Sequence, residues 1–180
     1  MKKIIAFSGT HGSGKSSSAY LLAGKMKLAG KNVIVLDELA RRCPFEINQD
    51  PDERTQIWLI TKQITEELEL IDGVDYLIVD RGIADSFCYD KVVSKSVDSA
   101  VMCDSLFSYI LQHIGKHYLV VYVPDKDSFN FQIDDGVRDL ETEFRDKVYY
   151  TVTTLYKRYE HIIPYKIIHS VEEVYEDLGV

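Results

Sequence analysis

No apolar run in this chain approaches the roughly 20 residues that a bilayer-crossing helix needs. Cysteine is scarce, and positive charge is outweighed. Each shortage excludes something. Without a long apolar run, no membrane partner is expected. Cys43, Cys88 and Cys103 lie far apart and form no CxxC pair. That argues against a zinc site or a disulfide frame and for buried thiols in a reducing compartment. Lysine and arginine number 21 against 29 aspartates and glutamates, a net charge of −8. Such a balance disfavours a broad electrostatic grip on nucleic acid, although it leaves room for a local basic site. A small-molecule substrate is the better expectation. Lys2–Lys3 leads into a short β-rich run and then glycines, with no signal-peptide layout, so a cytoplasmic protein is expected. No repeat, low-complexity tract or linker interrupts the 180 residues. Residues 1–180 are expected to form one domain, a length that buries a sizeable core.

What is present alternates regularly. Five short, β-branched, nearly continuous apolar runs read as buried parallel strands: "KIIAFS" (3–8), "NVIVLD" (32–37), "DYLIVD" (75–80), "YLVVYV" (118–123) and "YKIIHS" (165–170). Helical patterns lie between them, at 15–29 with Gly30 as the stop, 51–71, about 99–114, about 141–160 and 171–178. The second opens on Asp50 as cap, Pro51 in the first turn and Asp52 and Glu53 at the positive end of the dipole. Ile57, Ile60, Ile64, Leu68 and Ile71 supply its apolar stripe. Alternating strands and helices imply an α/β fold, a parallel sheet covered on both faces.

Between the first strand and the first helix stands "GTHGSGKSS". Gly9, Gly14, Lys15 and Ser16 satisfy G-x-x-x-x-G-K-[ST], with a further glycine at Gly12, in the strand-then-helix setting this motif requires. Glycines let the backbone turn tightly and aim successive N–H groups inward, and the helix start adds its positive dipole end. A nucleoside triphosphate, ATP, is the expected ligand. It is held by Gly9, Thr10, His11, Gly12, Ser13, Gly14, Lys15, Ser16 and Ser17, with Lys15 on the β- and γ-phosphates and Ser16 on Mg²⁺. His11 reads equally well as a filler at a variable loop position.

"YLIVD" ends in Asp80, a strand-end carboxylate suited to Mg²⁺, alternatively a helix cap. Mechanical ATPases commonly follow that aspartate with a glutamate that polarises water; here Arg81 follows. A guanine reader of the N/T-K-x-D type is absent, "PDKDS" (124–128) being the nearest imitation. Both observations point away from a motor ATPase and a GTPase. Asp37 and Glu38 close the second strand, where open α/β sheets bind ligands. Which of the two turns inward is left open, as is a solvated role for Glu38. Arg138 and Arg145, seven apart, can share a helical face and reach a triphosphate, or else form surface ion pairs. Arg41 and Arg42 can clamp an acceptor phosphate or sit in solvent. Gln56 and Gln63 beside Trp58 can read a base, or form the wet face of their helix. The aromatic stretch "YYTVTTLYKRYEHIIPY" reads as packing of the last long helix on the sheet.

Taken together, "GTHGSGKSS", "DELARR" and "VDRG" resemble the P-loop nucleoside and nucleotide kinases. The chain is especially similar to compact ATPase/kinase domains related to the nicotinamide riboside kinase domain of bacterial NAD-biosynthesis proteins, and more distantly to thymidylate and deoxynucleoside kinases. The resemblance implies a five-stranded parallel sheet of order 2-3-1-4-5 with helices on both faces. It makes Glu38 the carboxylate facing the acceptor and Asp80–Arg81 the D-R pair. It also makes "DDGVRDLETEFRDKV" (134–148) part of a lid, at about 125–147, whose arginines close over the triphosphate. Thymidylate kinases generally carry an acid within the loop and an arginine before the second-strand glutamate. His11 and Asp37 stand there instead, which points away from thymidylate itself. The expectation is an ATP- and Mg²⁺-dependent small-molecule kinase with Lys15, Glu38, Asp80 and Arg138 as catalytic residues, Arg138 and Arg145 on the nucleotide, and Ser16 and Asp80 on the metal. Its partner is a nucleoside, nucleotide or similar acceptor, and a homodimer is allowed. The rivals are an NTPase or nucleotide-sensing module without an acceptor and, more distantly, a kinase of nucleic-acid ends or modified bases.

Overall fold

Parallel strands must be buried on both faces, and the apolar runs of this chain meet that demand. The computed structural model describes residues 1–47, 53–93, 97–128 and 142–180. Its strands are β1 (Ile4–Phe7), β2 (Val33–Leu36), β3 (Tyr76–Asp80), β4 (Tyr118–Pro124) and β5 (Tyr165–Ile168). Its helices are α1 (Lys15–Leu28), α2 (Glu53–Leu70), α3 (Ile83–Val93), α4 (Val97–His117), α5 (Thr142–Arg158) and α6 (Val171–Leu178), with short 3₁₀ turns at Leu39–Arg42 and Ile71–Gly73. All strand pairs are parallel and the order is β2-β3-β1-β4-β5, as expected. β1 is the central strand, every residue of it buried. Phe7 stands opposite Asp80 of β3 and Tyr122 of β4, so the carboxyl ends of β1 and β3 leave the sheet side by side.

The two faces have separate cores. On one, Leu22 and Met26 of α1 and Val174 of α6 pack with Phe7, Tyr122 and Ile168. On the other, Ile60 of α2, Ile83 of α3, Ile110 of α4 and Val148 of α5 pack with Ile4, Leu77 and Tyr118. α1 stops as its sequence indicates: Gly30 takes φ 79° and its N–H donates to the Lys27 carbonyl, a left-handed exit that glycine makes cheaply. No helix among the described residues is long and apolar enough to cross a membrane.

Several expectations need correction. α3 was not expected at all; ten of its eleven residues are buried or half-buried, so it carries no stripe for periodicity to find. α4 runs two residues further than 99–114 at its N-terminal end and three at its C-terminal end. In α2, Leu68 of the expected apolar stripe is exposed, whereas Thr55, Gln56, Gln63 and Glu67 are buried with Ile60. The two glutamines are therefore not a wet face. Cys88 is buried, but Cys43 is only half-buried. The expected cap at Asp50, Pro51 and Asp52 lies outside the described residues. Most of the expected lid (129–141), Arg138 included, lies outside them too, while 142–147 begin α5.

Candidate active site

The loop between β1 and α1 needs backbone that only glycine adopts at little cost. Gly9, Gly12 and Gly14 have φ of 129°, 67° and 74°, all in the left-handed half where a Cβ is penalised. Within this loop the buried Lys15 ammonium donates to the Thr10 carbonyl and, at 3.3 Å, to Ser13 Oγ. Burial, and then the charge of Arg81, lower its pKa to about 8, against the pull of Asp80, Glu38 and Asp85. Thr10 Oγ1 is buried without a hydrogen-bond partner, a cost of about 1–3 kcal/mol until something supplies one. Ser16 is half-buried and Ser17 exposed. Asp80, at the end of β3, is buried.

A buried carboxylate braces the loop from below. The Ser8 hydroxyl donates to Asp85 Oδ1, and the Gly9 N–H donates to Asp85 Oδ2 at 2.9 Å. Tyr156 of α5 brings its hydroxyl to 2.6 Å from Ser8 Oγ. Burial raises the Asp85 pKa, against Arg81 and the Ser8 hydrogen bond. Asp85 sits in α3, the helix that periodicity does not reveal, and the sequence reading missed it.

Beyond the loop, the ends of β2 and β3 meet. Glu38 is buried and Asp37 exposed, its carboxylate accepting from Tyr20 Oη; of the two acids, Glu38 is the one turned inward. Arg81 donates to Glu38 Oε1 from Nε at 3.0 Å and from Nη2 at 2.6 Å. Its guanidinium also lies 4.6 Å from the centre of the Tyr89 ring. Burial works against this charge, yet Tyr89, Glu38 and Asp85 together raise the Arg81 pKa well above the ordinary arginine value. Arg81 has φ 101°, the only positive φ of a non-glycine residue among those described. Such a conformation costs on the order of 1–3 kcal/mol and persists only where the surroundings enforce it.

Glu38 and Arg81 stand together in a cleft. His11 of the glycine loop, Gln56 of α2, Tyr89 of α3 and Phe144 of α5 form its walls. His11 does not merely fill the loop: its N–H donates to Tyr89 Oη at 3.1 Å, and its ring stacks on Phe144 with centroids 6.0 Å apart. Gln56 is buried with Oε1 unpartnered. Arg41 borders the same cleft with Nε 3.7 Å from Glu38 Oε2, while Arg42 pairs with Glu66 outside it. Arg145 is buried in the second turn of α5 rather than lying on the surface. Tyr89 and Phe144 were missed, since nothing local marks an isolated aromatic as a wall.

The residues fit a triphosphate and a hard divalent cation. Three glycines in left-handed conformation, a buried ammonium, an unpartnered hydroxyl at Thr10, a serine hydroxyl at Ser16 and a buried carboxylate at Asp80 form the appropriate donor set. The family model described as an AAA domain matches residues 4–173. Thymidylate kinase from Ehrlichia chaffeensis superposes with a TM-score of 0.67 at 20% identity, over 98% of this chain and 98% of that one. Deoxyadenosine kinase from M. mycoides, with dCMP and a flexible dCDP, gives a TM-score of 0.72 at 14% identity over 98% of each chain. The same kinase with dATP gives 0.68 at 16%, over 99% of this chain and 100% of that one. At such identities the likeness is one of fold, that of the P-loop nucleoside and nucleotide kinases. No curated protein sequence matches the chain.

Proposed function

The chain belongs to the AAA domain family, and on that premise we propose that it is an ATP- and Mg²⁺-dependent kinase. Its acceptor is a nucleoside, a nucleotide or a related small molecule. The observation that carries this reading is the pairing of buried Glu38 with half-buried Arg81 in a cleft whose wall includes His11 of the glycine loop. An NTPase needs a water beside its phosphates; a cleft lined by a carboxylate, a guanidinium, an amide and aromatic rings suits an organic acceptor better.

ATP supplies the phosphoryl group when bound, and Mg²⁺ neutralises charge on its phosphate oxygens. The loop N–H groups and Lys15 hold and neutralise the β- and γ-phosphates, and Ser16 and Asp80 are the residues for the metal. Glu38 orients the accepting hydroxyl or phosphate and takes up its proton, while Arg81 fixes Glu38 and lends positive charge. Gln56, whose buried carbonyl has no hydrogen-bond partner among the described residues, reads a polar edge of the acceptor. Arg145 serves the nucleotide, and so does Arg138 within a lid, a role that rests on the sequence resemblance alone. Positioning and electrostatics are most of what phosphoryl transfer asks of a protein.

A panel of nucleosides, nucleotides and nicotinamide riboside, followed by ADP release, tests the reading. ADP release that depends on one acceptor supports it. ADP release equal with and without every acceptor favours an NTPase.

A further inference from the structure

The Arg81 corner raises a question that its own side chain does not answer: what enforces φ 101° at a residue bearing a side chain? Its amide donates to the Phe7 carbonyl at 3.0 Å, an extension of the sheet ladder. Its carbonyl points the other way, to α2, and accepts from Gln63 Nε2 at 2.8 Å. The other Gln63 N–H donates to Glu67 Oε1, also at 2.8 Å. Glu67 is wholly buried, and its Oε1 accepts a second bond from Tyr118 Oη at 2.7 Å. Tyr118 Oη in turn accepts from the Ile83 N–H at 3.3 Å. His113 Nε2 lies 2.7 Å from Glu67 Oε2 and closes the set from α4. One buried carboxylate therefore holds, through Gln63 and through Tyr118, the two ends of the turn Arg81–Gly82–Ile83.

We propose that Glu67 is a positioning residue for the phosphoryl acceptor. Through Gln63 it holds the Arg81 carbonyl and through Tyr118 the Ile83 amide, the two ends of the turn, and so aims the guanidinium at Glu38. The inference rests on the kinase reading for its functional half and stands apart from it for its structural half. A buried carboxylate is expensive unless fully partnered. A leucine in its place is close to it in volume but leaves the Gln63 amide, the Tyr118 hydroxyl and His113 without their shared acceptor. What leucine cannot do is orient the Gln63 amide. Without Glu67, Gln63 is free to turn, the Arg81 carbonyl loses its donor, and the strained corner relaxes towards φ < 0. The guanidinium then leaves Glu38. The nucleotide loop keeps its own bonds among Asp85, Ser8, Gly9 and Tyr156, none of which passes through Glu67.

Three variants test this: Glu67→Leu, Gln63→Met and Glu67→Gln. Two readouts are taken on each folded variant. One is the split between ATP-analogue affinity and acceptor-dependent kcat; the other is the NMR signal of the Arg81 Nε–H, assigned by its loss in Arg81→Lys. Glu67→Leu and Gln63→Met are expected to lower kcat roughly 10- to 100-fold, the scale of a displaced catalytic group, with analogue affinity unchanged within about twofold, and to shift the Nε–H signal. Glu67→Gln, which keeps an acceptor oxygen for Gln63 and Tyr118, is expected to stay close to the wild type in both. Should Glu67→Leu fail to fold, Gln63→Met decides. A folded Gln63→Met with wild-type kcat and an unmoved Nε–H signal overturns the proposal. If the wild type has no acceptor-dependent turnover, the kinase reading has failed, and the Nε–H signal alone decides whether Glu67 sets Arg81.

Discussion

Arg81 grips a single oxygen of Glu38 with two donors, at 3.0 and 2.6 Å, and so ties the end of β3 to the end of β2. That fork cannot be made by an ammonium. Arg81→Lys keeps the positive charge near Lys15 but loses the second donor and the planar stack on Tyr89. Acceptor-dependent turnover is expected to fall about 10-fold or more, with ATP-analogue affinity little changed. Steady-state kinetics beside calorimetry checks it, and wild-type turnover in Arg81→Lys would detach the fork from the reaction.

Lys15 carries the nucleotide half of the account. Lys15→Ala removes the buried ammonium that neutralises the β- and γ-phosphates. Turnover is expected to drop on the order of 10² to 10⁵-fold. A variant turning over near the wild-type rate would sink the assignment of the loop.

The same lysine predicts a pH dependence. Its pKa in the free protein is lowered to about 8, from an ordinary 10.5, and a bound triphosphate favours the ammonium. Affinity for an ATP analogue should therefore weaken as pH rises past about 8, by at most about tenfold per pH unit. Lys15→Met should show no such slope. Stability moves the opposite way: the burial penalty on the charged lysine is present below about 8 and fades as pH rises towards 10.5. Calorimetric titrations at several pH values, with urea melts alongside, separate the two trends.

Gln56 offers a test in which stability and function part. Its buried Oε1 has no partner, so Gln56→Leu removes an unpaid desolvation cost and should leave the protein as stable as before, or more so by about 1 kcal/mol. If that carbonyl waits for a donor on the acceptor, the acceptor KM should rise about 10-fold. Lower stability together with an unchanged KM would mark Gln56 as structural.

The legible parts of this molecule are the local ones. The strands announce themselves through β-branched runs, and the loop through three glycines, a lysine and a serine in seven residues. Their parallel arrangement follows from the helices between them. α3 escapes notice because it is buried nearly all round, with Asp85, Ser86 and Asp90 hidden among its apolar residues. Gln63 misleads, and Glu67 goes unnoticed, for a related reason. Their buried partners His113 and Tyr118 lie 46 and 51 residues beyond Glu67, so nothing nearby explains a polar inner face on α2. Likewise His11 acquires its place from Tyr89 and Phe144, which reach it from α3 and α5. Periodicity reports on a helix and its own solvent face, and the polar core of this site is assembled across helices.

The central claim is that Glu38 serves an acceptor and that Lys15 serves the nucleotide. The most direct test measures ADP release by the wild type and by Glu38→Gln, each with and without the acceptor, beside the affinity for an ATP analogue. The account predicts that Glu38→Gln binds the analogue as the wild type does, and that its acceptor-dependent rate falls roughly 10²-fold or more, the scale of a lost general base. Equal acceptor-dependent rates in the two proteins would contradict it.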